Sequence, residues 1–406
     1  MNDVAGAEDA VGSRTSSVLP FSKPAGTAHS LKRSALATFP VLLLAVLLAP
    51  PAVHAADIVV GQVGPLSGLE AVQGRAYLAG MQLLFANVNK SSGVKGHTFT
   101  VQGKDDGGRP EETVRLTRQL LSEAKPMVLA GYFGSRNIAD LVASGVLEGE
   151  KIALVGYRSA EIRTETPMLY SVRAGLGDEI NKLTEHLATI GITRLGLLYE
   201  EGPGASSLVA AAEEAAKRGR ASIVAKASYA AGGTNLAPAV GAFVKTSPQA
   251  IIMVTSGSAA AAFIEQYRAA GGVAQIFAHS GADIEQLSKR LGEEQMQGVA
   301  IAQVTPSPYK ISVRLTKEFN DLVTKNQGME LPVGYTMMEG YIAAKVIVEA
   351  VRRQGAKPSR EGMVGALDAM ESYDLGGYVI SFKPGMRTGS KFVELSIVSG
   401  AGRIRQ

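Results

Sequence analysis

An α/β protein built on two parallel sheets is the fold this sequence predicts. Two observations carry that expectation. Short apolar runs alternate with amphipathic helical stretches, as in parallel sheets covered by helices on both faces. The alternation also runs through two separate series, 57–172 and 176–300, each long enough to build its own sheet. The composition fits an ordinary globular chain: 406 residues, 46% apolar and 19% charged. The net charge of +4 is too mild, and too little clustered, to argue for nucleic acid. With no cysteine, disulfides, thiolate nucleophiles and Cys-ligated metals are excluded.

The chain opens with a targeting pattern. Lys32 and Arg33 precede an apolar stretch from Leu36 to Ala49, and Val53-His54-Ala55 follows. A basic start, an apolar core and small residues at −3 and −1 make a secretory signal cut near Ala55. A membrane anchor needs about 20 apolar residues. This run is shorter and is broken by Pro40 and Pro50. The expected mature protein starts near Ala56 and lies in the periplasm.

The first predicted strand is 58–63, closed by the turn Gly64-Pro65-Leu66-Ser67-Gly68 and followed by a helix near 74–90. Residues 99–104 read as a strand ending in Asp105-Asp106-Gly107-Gly108. Pro110 suits the first turn of helix 111–124, with Glu111 and Glu112 at its positive end. Strand 127–132 leads to Ser135, placed to cap helix 136–147, and strand 152–155 follows. The second series predicts helix 178–190, strand 194–199, helix 205–218, strand 221–229, helix 235–246, strand 250–255, helix 258–271 and strand 275–279. Three helices come next, at 310–327, 335–354 and 359–370. A strand pair, 377–382 and 391–397, then turns at Lys383-Pro384-Gly385. The extended segments 170–173 and 300–304 are candidate crossings between two lobes.

No catalytic constellation emerges. His97, His186 and His279 stand far apart, with no H-E-x-x-H and no G-x-S-x-G elbow. Gly202-Pro203-Gly204-Ala205-Ser206-Ser207 follows a strand as a dinucleotide loop would. Ser207 replaces the third glycine, however, and no acid ends the next strand. The expectation is therefore no enzyme, no cofactor and no metal. What remains is a crevice beyond the strand ends, where ligands sit in open parallel sheets. Ser135 opens a helix whose free N–H groups favour an anion, and Ser159 ends the following strand. The two could share a carboxylate. Serine is favoured at caps and turns anyway, so local sequence leaves both readings open.

Several stretches taken in order tip the balance. They are Ile58-Val59-Val60-Gly61-Gln62-Val63-Gly64-Pro65-Leu66-Ser67-Gly68, Asp105-Asp106 with Pro110, Gly131-Tyr132-Phe133-Gly134-Ser135, Leu154-Val155-Gly156-Tyr157, and Met338-Glu339-Gly340-Tyr341. Across nearly the whole mature chain the sequence resembles the periplasmic solute-binding proteins of the branched-chain amino acid (Leu/Ile/Val) type, which serve ABC importers. The resemblance implies the type I periplasmic-binding-protein fold: two Rossmann-like lobes with parallel sheets, joined by a three-segment hinge. It suggests a first lobe of 56–173 plus 304–372 and a second of 174–303 plus 373–406. It further implies a monomer that captures a small carboxylate-bearing solute and hands it to an inner-membrane ABC permease. The alternative is a sensor that presents ligand to a signalling receptor.

The same resemblance implies a ligand set. Ser135 and Ser159 match the carboxylate binders, with Gly134 beside them. Tyr157 matches a residue whose backbone carbonyl meets the α-ammonium, and Gln73 matches a residue after the first turn. In the second lobe the pattern departs. Gly257 stands where a pocket tyrosine is frequent, and Ser280 where the acidic ammonium partner stands. Glu200, Glu201 and Asp283 are the nearby substitutes. If Ser280 and Gly257 line the pocket, an acid without an α-amino group is favoured, with Tyr157 and Arg158 supplying packing and positive charge.

Overall fold

The computed structural model describes residues 57–162, 165–326, 331–398 and 404–405. The expected leader, 1–55, lies outside the described residues.

The chain enters a first lobe through β1 (Asp57–Gly64), α1 (Ala71–Lys90), β2 (Thr98–Asp105), α2 (Pro110–Glu123), β3 (Val128–Phe133), α3 (Ser135–Ala143), α4 (Val146–Gly149), β4 (Leu154–Arg158) and β5 (Leu169–Tyr170). It crosses to a second lobe with α5 (Leu176–Thr189), β6 (Arg194–Glu200), α6 (Ala205–Arg218), β7 (Ser222–Tyr229), α7 (Ala237–Thr246), β8 (Ala250–Val254) and α8 (Gly257–Ala269). That lobe continues with β9 (Gln275–Ala278), a 3-10 turn at Ser280–Ala282, α9 (Ile284–Arg290), α10 (Glu293–Met296) and β10 (Ala300–Gln303). The chain then returns to the first lobe as α11 (Arg314–Lys325), α12 (Tyr335–Gln354), α13 (Arg360–Asp368), β11 (Tyr373–Asp374) and β12 (Val379–Ile380). It ends in the second lobe with β13 (Glu394–Val398) and β14 (Ile404–Arg405).

The first sheet has the order β2-β1-β3-β4-β5 and is parallel throughout. The second has the order β14-β13-β10-β9-β8-β6-β7, parallel except for β13 and β14 at one edge. Strands β3, β8 and β10 are buried along their whole length. Their sequences are accordingly continuous apolar runs, and each sheet carries a core on both faces. On one face of the first sheet, α1 and α12 cross at close range. A Cβ on Gly80 would lie 2.0 Å from the Met337 carbonyl, and one on Gly340 would lie 2.0 Å from that of Tyr77. Only glycine lets these two backbones meet.

Three features differ from the sequence expectation. The helix expected over 136–147 is broken by Gly145, at φ 67°, into α3 and α4. The strand pair expected over 377–382 and 391–397 does not form. β12 pairs with β11, while β13 pairs with β10 and β14. Alternating apolar residues were legible there, but not which sheet would accept them. For the same reason the final crossing lies later than 372–373. Leu375, Tyr378, Ile380 and Phe382 pack in the first lobe's core, and Val393 and Leu395 pack in the second's.

The three crossings lie side by side. Tyr378 Oη lies 2.8 Å from the Val172 carbonyl and 2.9 Å from that of Val304, its single proton shared between them. The Ser171 N–H donates to Arg387 O at 2.9 Å, and the Gly389 N–H donates to Ser171 O at 2.8 Å. One tyrosine hydroxyl and a short bridge thus tie all three connecting strands into one hinge.

Candidate functional site

Between the lobes lies a cleft of about 730 Å³, lined by the segments that follow the carboxyl ends of β1, β3, β4, β6, β8 and β9. In the first sheet β1 separates β2 from β3, and in the second β6 separates β7 from β8. The chain reverses its direction of winding at β1/β3 and at β6/β8. These are the switch points where open α/β sheets leave a crevice. Both open into this cleft.

One wall is made by the ends of β3 and β4. Gly134 takes φ 98° and occupies the cap position of α3. A Cβ there would lie 2.2 Å from Asn137 Oδ1, so the sharp turn requires glycine. Ser135, expected as the cap, is instead the first residue of the helix. Its Oγ accepts the Ala160 N–H at 3.0 Å, fastening the β3 end to the β4 end. Ser159 Oγ is buried and has no hydrogen-bond partner among the described residues. Free N–H groups at the start of α3 and two serine hydroxyls therefore converge on one side of the cleft. This donor set suits an anion.

The β9 end of the cleft is occupied by a buried charge network. Arg173 donates to Glu179 at 2.8 Å and to Glu339 at 3.4 Å, and also to Ser280 Oγ. The Ser280 N–H donates to the second Glu179 oxygen at 2.7 Å. Arg158 donates to Gln73 Oε1, to Thr336 Oγ1 at 2.9 Å and to the Ser280 carbonyl at 3.1 Å. Its Nε lies 3.6 Å from Glu339, and its guanidinium stacks 5.5 Å over Phe133. Two arginines thus face two glutamates, and Ser280 is bonded through its N–H, its carbonyl and its hydroxyl. His279 is neutral here. Its Nδ1 accepts the Gly281 N–H at 3.2 Å and its Nε2 donates to Thr255 O at 2.9 Å, and burial lowers its pKa.

Two carboxylates stand in the cleft at the switch points. Glu70, just before α1, accepts from Gln73 Nε2 at 2.8 Å and from Ser258 Oγ of the second lobe at 3.2 Å. Glu200, at the end of β6, accepts from Tyr229 Oη at 3.1 Å. Burial raises both pKa values, and Glu70 adds to the rise at Glu200.

Of the residues singled out in the sequence, Gln73, Gly134, Ser135, Arg158 and Ser159 all line the cleft. Tyr157, Gly257 and Ser280 are not among its lining residues. The Tyr157 ring packs against the apolar cluster on the α2–α3 face of the first sheet. Gly257 is a point of close approach between the lobes, where a Cβ would lie 3.2 Å from Ala282 O and 3.3 Å from Gln73 Nε2. Asp283, a possible acidic substitute, caps α9 by accepting the Gln286 N–H at 3.0 Å. Glu70 had not been singled out. The only local signal for it is a carboxylate at the mouth of a helix that follows the first strand. Among the described residues no group of three or more His, Cys, Asp or Glu could hold a metal ion, and no helix is long and apolar enough to cross a membrane.

Known proteins share this arrangement. The sequence profile of the periplasmic binding protein family matches residues 57–393. The Leu/Ile/Val-binding protein homolog 8 of Brucella abortus is 22% identical over 346 residues, spanning 80% of this chain and 84% of its own. A substrate-binding periplasmic protein from Ralstonia solanacearum superposes with a TM-score of 0.81 at 35% identity, over 86% of this chain and all of that one. A branched-chain amino acid ABC transporter protein from Thermus thermophilus, solved with bound valine, shares the fold at 16% identity and a TM-score of 0.73. That match spans 86% of this chain and 95% of the other. With two hinged α/β lobes, a cleft at both switch points and a profile match over most of its length, the chain belongs to the periplasmic binding protein family, the solute-binding proteins related to those of branched-chain amino acid ABC importers.

Proposed function

We propose that this protein captures a small carboxylate-bearing solute between its lobes and delivers it, chemically unchanged, to an ABC permease in the inner membrane. The observation that carries the reading is the β3–β4 wall. There Ser135 and the buried, unpartnered Ser159 hydroxyl stand with the start of α3 at the edge of the cleft. The valine-bound Thermus relative supports the same class of guest. Export follows from the Lys32-Arg33 start, the apolar core and the Val53-His54-Ala55 motif. A solute touching both lobes favours the closed state by its differential affinity.

The test is calorimetry on Ser135→Ala and Ser159→Ala. A hydrogen bond to a charged group contributes about 1.5–3 kcal/mol, so each variant should bind a carboxylate solute roughly ten- to a hundred-fold more weakly. Wild-type affinity in both variants overturns the assignment.

A further inference from the structure

The charge on the two sides of the cleft is unequal, and the difference points to the other end of the solute. Near Ser280, where the resemblance led one to expect the acidic partner of an ammonium group, two guanidiniums already face two carboxylates and every polar atom of the serine is bonded. No place remains there for a cation. The opposite holds at the switch points. Glu70 and Glu200 line the cleft, and among the described residues their side-chain partners are neutral: Gln73, Ser258 and Tyr229.

A continuous chain of hydrogen bonds links the two acids. Ser258 Oγ donates to Glu70 and lies 3.3 Å from Ser256 Oγ, the Ser256 N–H donates to Tyr229 Oη at 3.3 Å, and that hydroxyl donates to Glu200. The acids are thus held in place from both lobes; Arg158 acts on Glu70 through space, and among the described residues no basic side chain acts on Glu200. A second, independent feature marks the same place. Thr255 lines the cleft and is 1% exposed, yet among the described residues its Oγ1 has no hydrogen-bond partner. Tyr199 pairs with Val254 in the sheet, so Thr255 stands beside Glu200 in the next row. A buried hydroxyl left without a partner is costly unless a guest completes it.

We infer that Glu70 and Glu200 form a cation-binding pole, so that the solute is a zwitterion whose ammonium or guanidinium group sits between these two carboxylates while its carboxylate meets Ser135 and Ser159. The inference rests on the carboxylate reading above and adds the opposite pole. In the second sheet β6 is two strands from β9. The cation is therefore displaced by roughly 10 Å, at about 4.8 Å per strand, from the β9 position. The displacement also accounts for Gly257 and Ser280. Neither lines the pocket, so their lack of an aromatic ring and an acid says nothing about the guest. A deaminated acid, favoured only if those two residues lined the pocket, loses its basis.

Matched pairs of probes test this. Calorimetry on the mature protein would compare 4-aminobutyrate with butyrate, 6-aminohexanoate with hexanoate, leucine with 4-methylpentanoate, and lysine and arginine with norleucine. The expected result is that the member with the added positive group binds at least ten-fold tighter in at least one pair. Glu200→Gln and Glu70→Gln should then lower that affinity ten-fold or more, since a charge-assisted bond is about twice as strong as a neutral one. Equal or tighter binding of every less positive partner overturns the inference, as does absence of binding by every amine-bearing probe. So does wild-type affinity in both Gln variants. The wild-type comparison needs no variant to fold. Ser135→Ala separates the two claims. If it weakens the acids while the added amine brings no gain, the carboxylate reading stands and the cation pole falls. If it leaves all affinities unchanged while Glu200→Gln abolishes the amine preference, the reverse holds.

Discussion

The β3–β4 wall and the β9 wall of the cleft use the same residue at the same kind of place, a serine just beyond a parallel strand, and do different things with it. At β3–β4, Ser135 receives one backbone N–H and Ser159 keeps an unpartnered hydroxyl. At β9, Ser280 is bonded to Arg158, Arg173 and Glu179 at once. The difference lies in the neighbours. Ser135 accepts from a neutral backbone amide, whereas Ser280 stands between two arginines and two glutamates. A strand-end serine is available to a guest only where no buried charge has already taken its hydrogen-bonding capacity. One wall keeps hydrogen-bonding capacity open to the cleft, and the other spends it on contacts between the lobes.

The largest expected effect follows from that contrast. Glu339, 2% exposed, faces both Arg158 and Arg173. Glu339→Ala leaves buried positive charge uncompensated, which costs about 3–5 kcal/mol. Urea denaturation without any solute should register that loss. Ser135→Ala gives up the neutral hydrogen bond from the Ala160 N–H, a change of about 1 kcal/mol. Equal denaturation midpoints for the two variants would erase the distinction between the walls.

The two walls also differ in how much of them the sequence disclosed. The β3–β4 wall was legible because Gly131-Tyr132-Phe133-Gly134-Ser135 and the Tyr157-Arg158-Ser159 strand end are contiguous. Each places its own hydroxyl by local geometry. The β9 wall was not legible, because Arg158, Arg173, Glu179, Ser280 and Glu339 come from five separate segments on both lobes. Nothing in their spacing says that they meet. Arg158 illustrates the point: it was expected to lend positive charge to an anion, and its guanidinium lies 3.6 Å from Glu339, a partner the sequence does not name. Glu70 went unnoticed for a related reason. Its significance depends on Ser258 in the other lobe, which nothing near it in sequence announces. Strand and helix order was largely legible from periodicity. The destination of residues 377–397 was not, because alternation does not name the sheet that accepts a strand.

Closure gives the next test. Gly257 is the point where the second lobe presses on Gln73, with ordinary room for a hydrogen and little for a methyl. Gly257→Val places branched carbon against Ala282 O and the Gln73 amide, displacing the residue that donates to Glu70. Overpacking of this kind costs about 1–3 kcal/mol, and here the closed state bears the cost. Solute affinity should fall roughly ten-fold, and small-angle scattering with saturating solute should show less compaction than wild type. Unchanged affinity and compaction would mean that the β8–β9 side of the second lobe need not approach the first so closely. The contrast between the walls would then lose its geometric basis.

The smallest effect concerns Glu285, directly behind the Ser280 wall. Its Oε1 accepts from Tyr309 Oη at 2.6 Å and from the Tyr335 N–H at 2.9 Å, joining α9 to the start of α12. Burial first, and Asp283 next, push its pKa up to about 7 from an ordinary 4.5. Between those values the folded protein holds a proton that the unfolded chain has released. The stabilising contribution is therefore complete below the unfolded pKa and is lost as pH rises through about 7. Wild type should lose melting temperature between pH 5.5 and 8, and Glu285→Gln should lose less over the same interval. Glu70 and Glu200 shift in the same direction, but they are present in both proteins and cancel in the difference. Measured without solute, this difference belongs to a wall that holds the lobes together. Parallel melting curves across that pH interval, combined with altered solute affinity in Glu285→Gln, would instead place the β9 side among the binding elements and close the gap between the two walls.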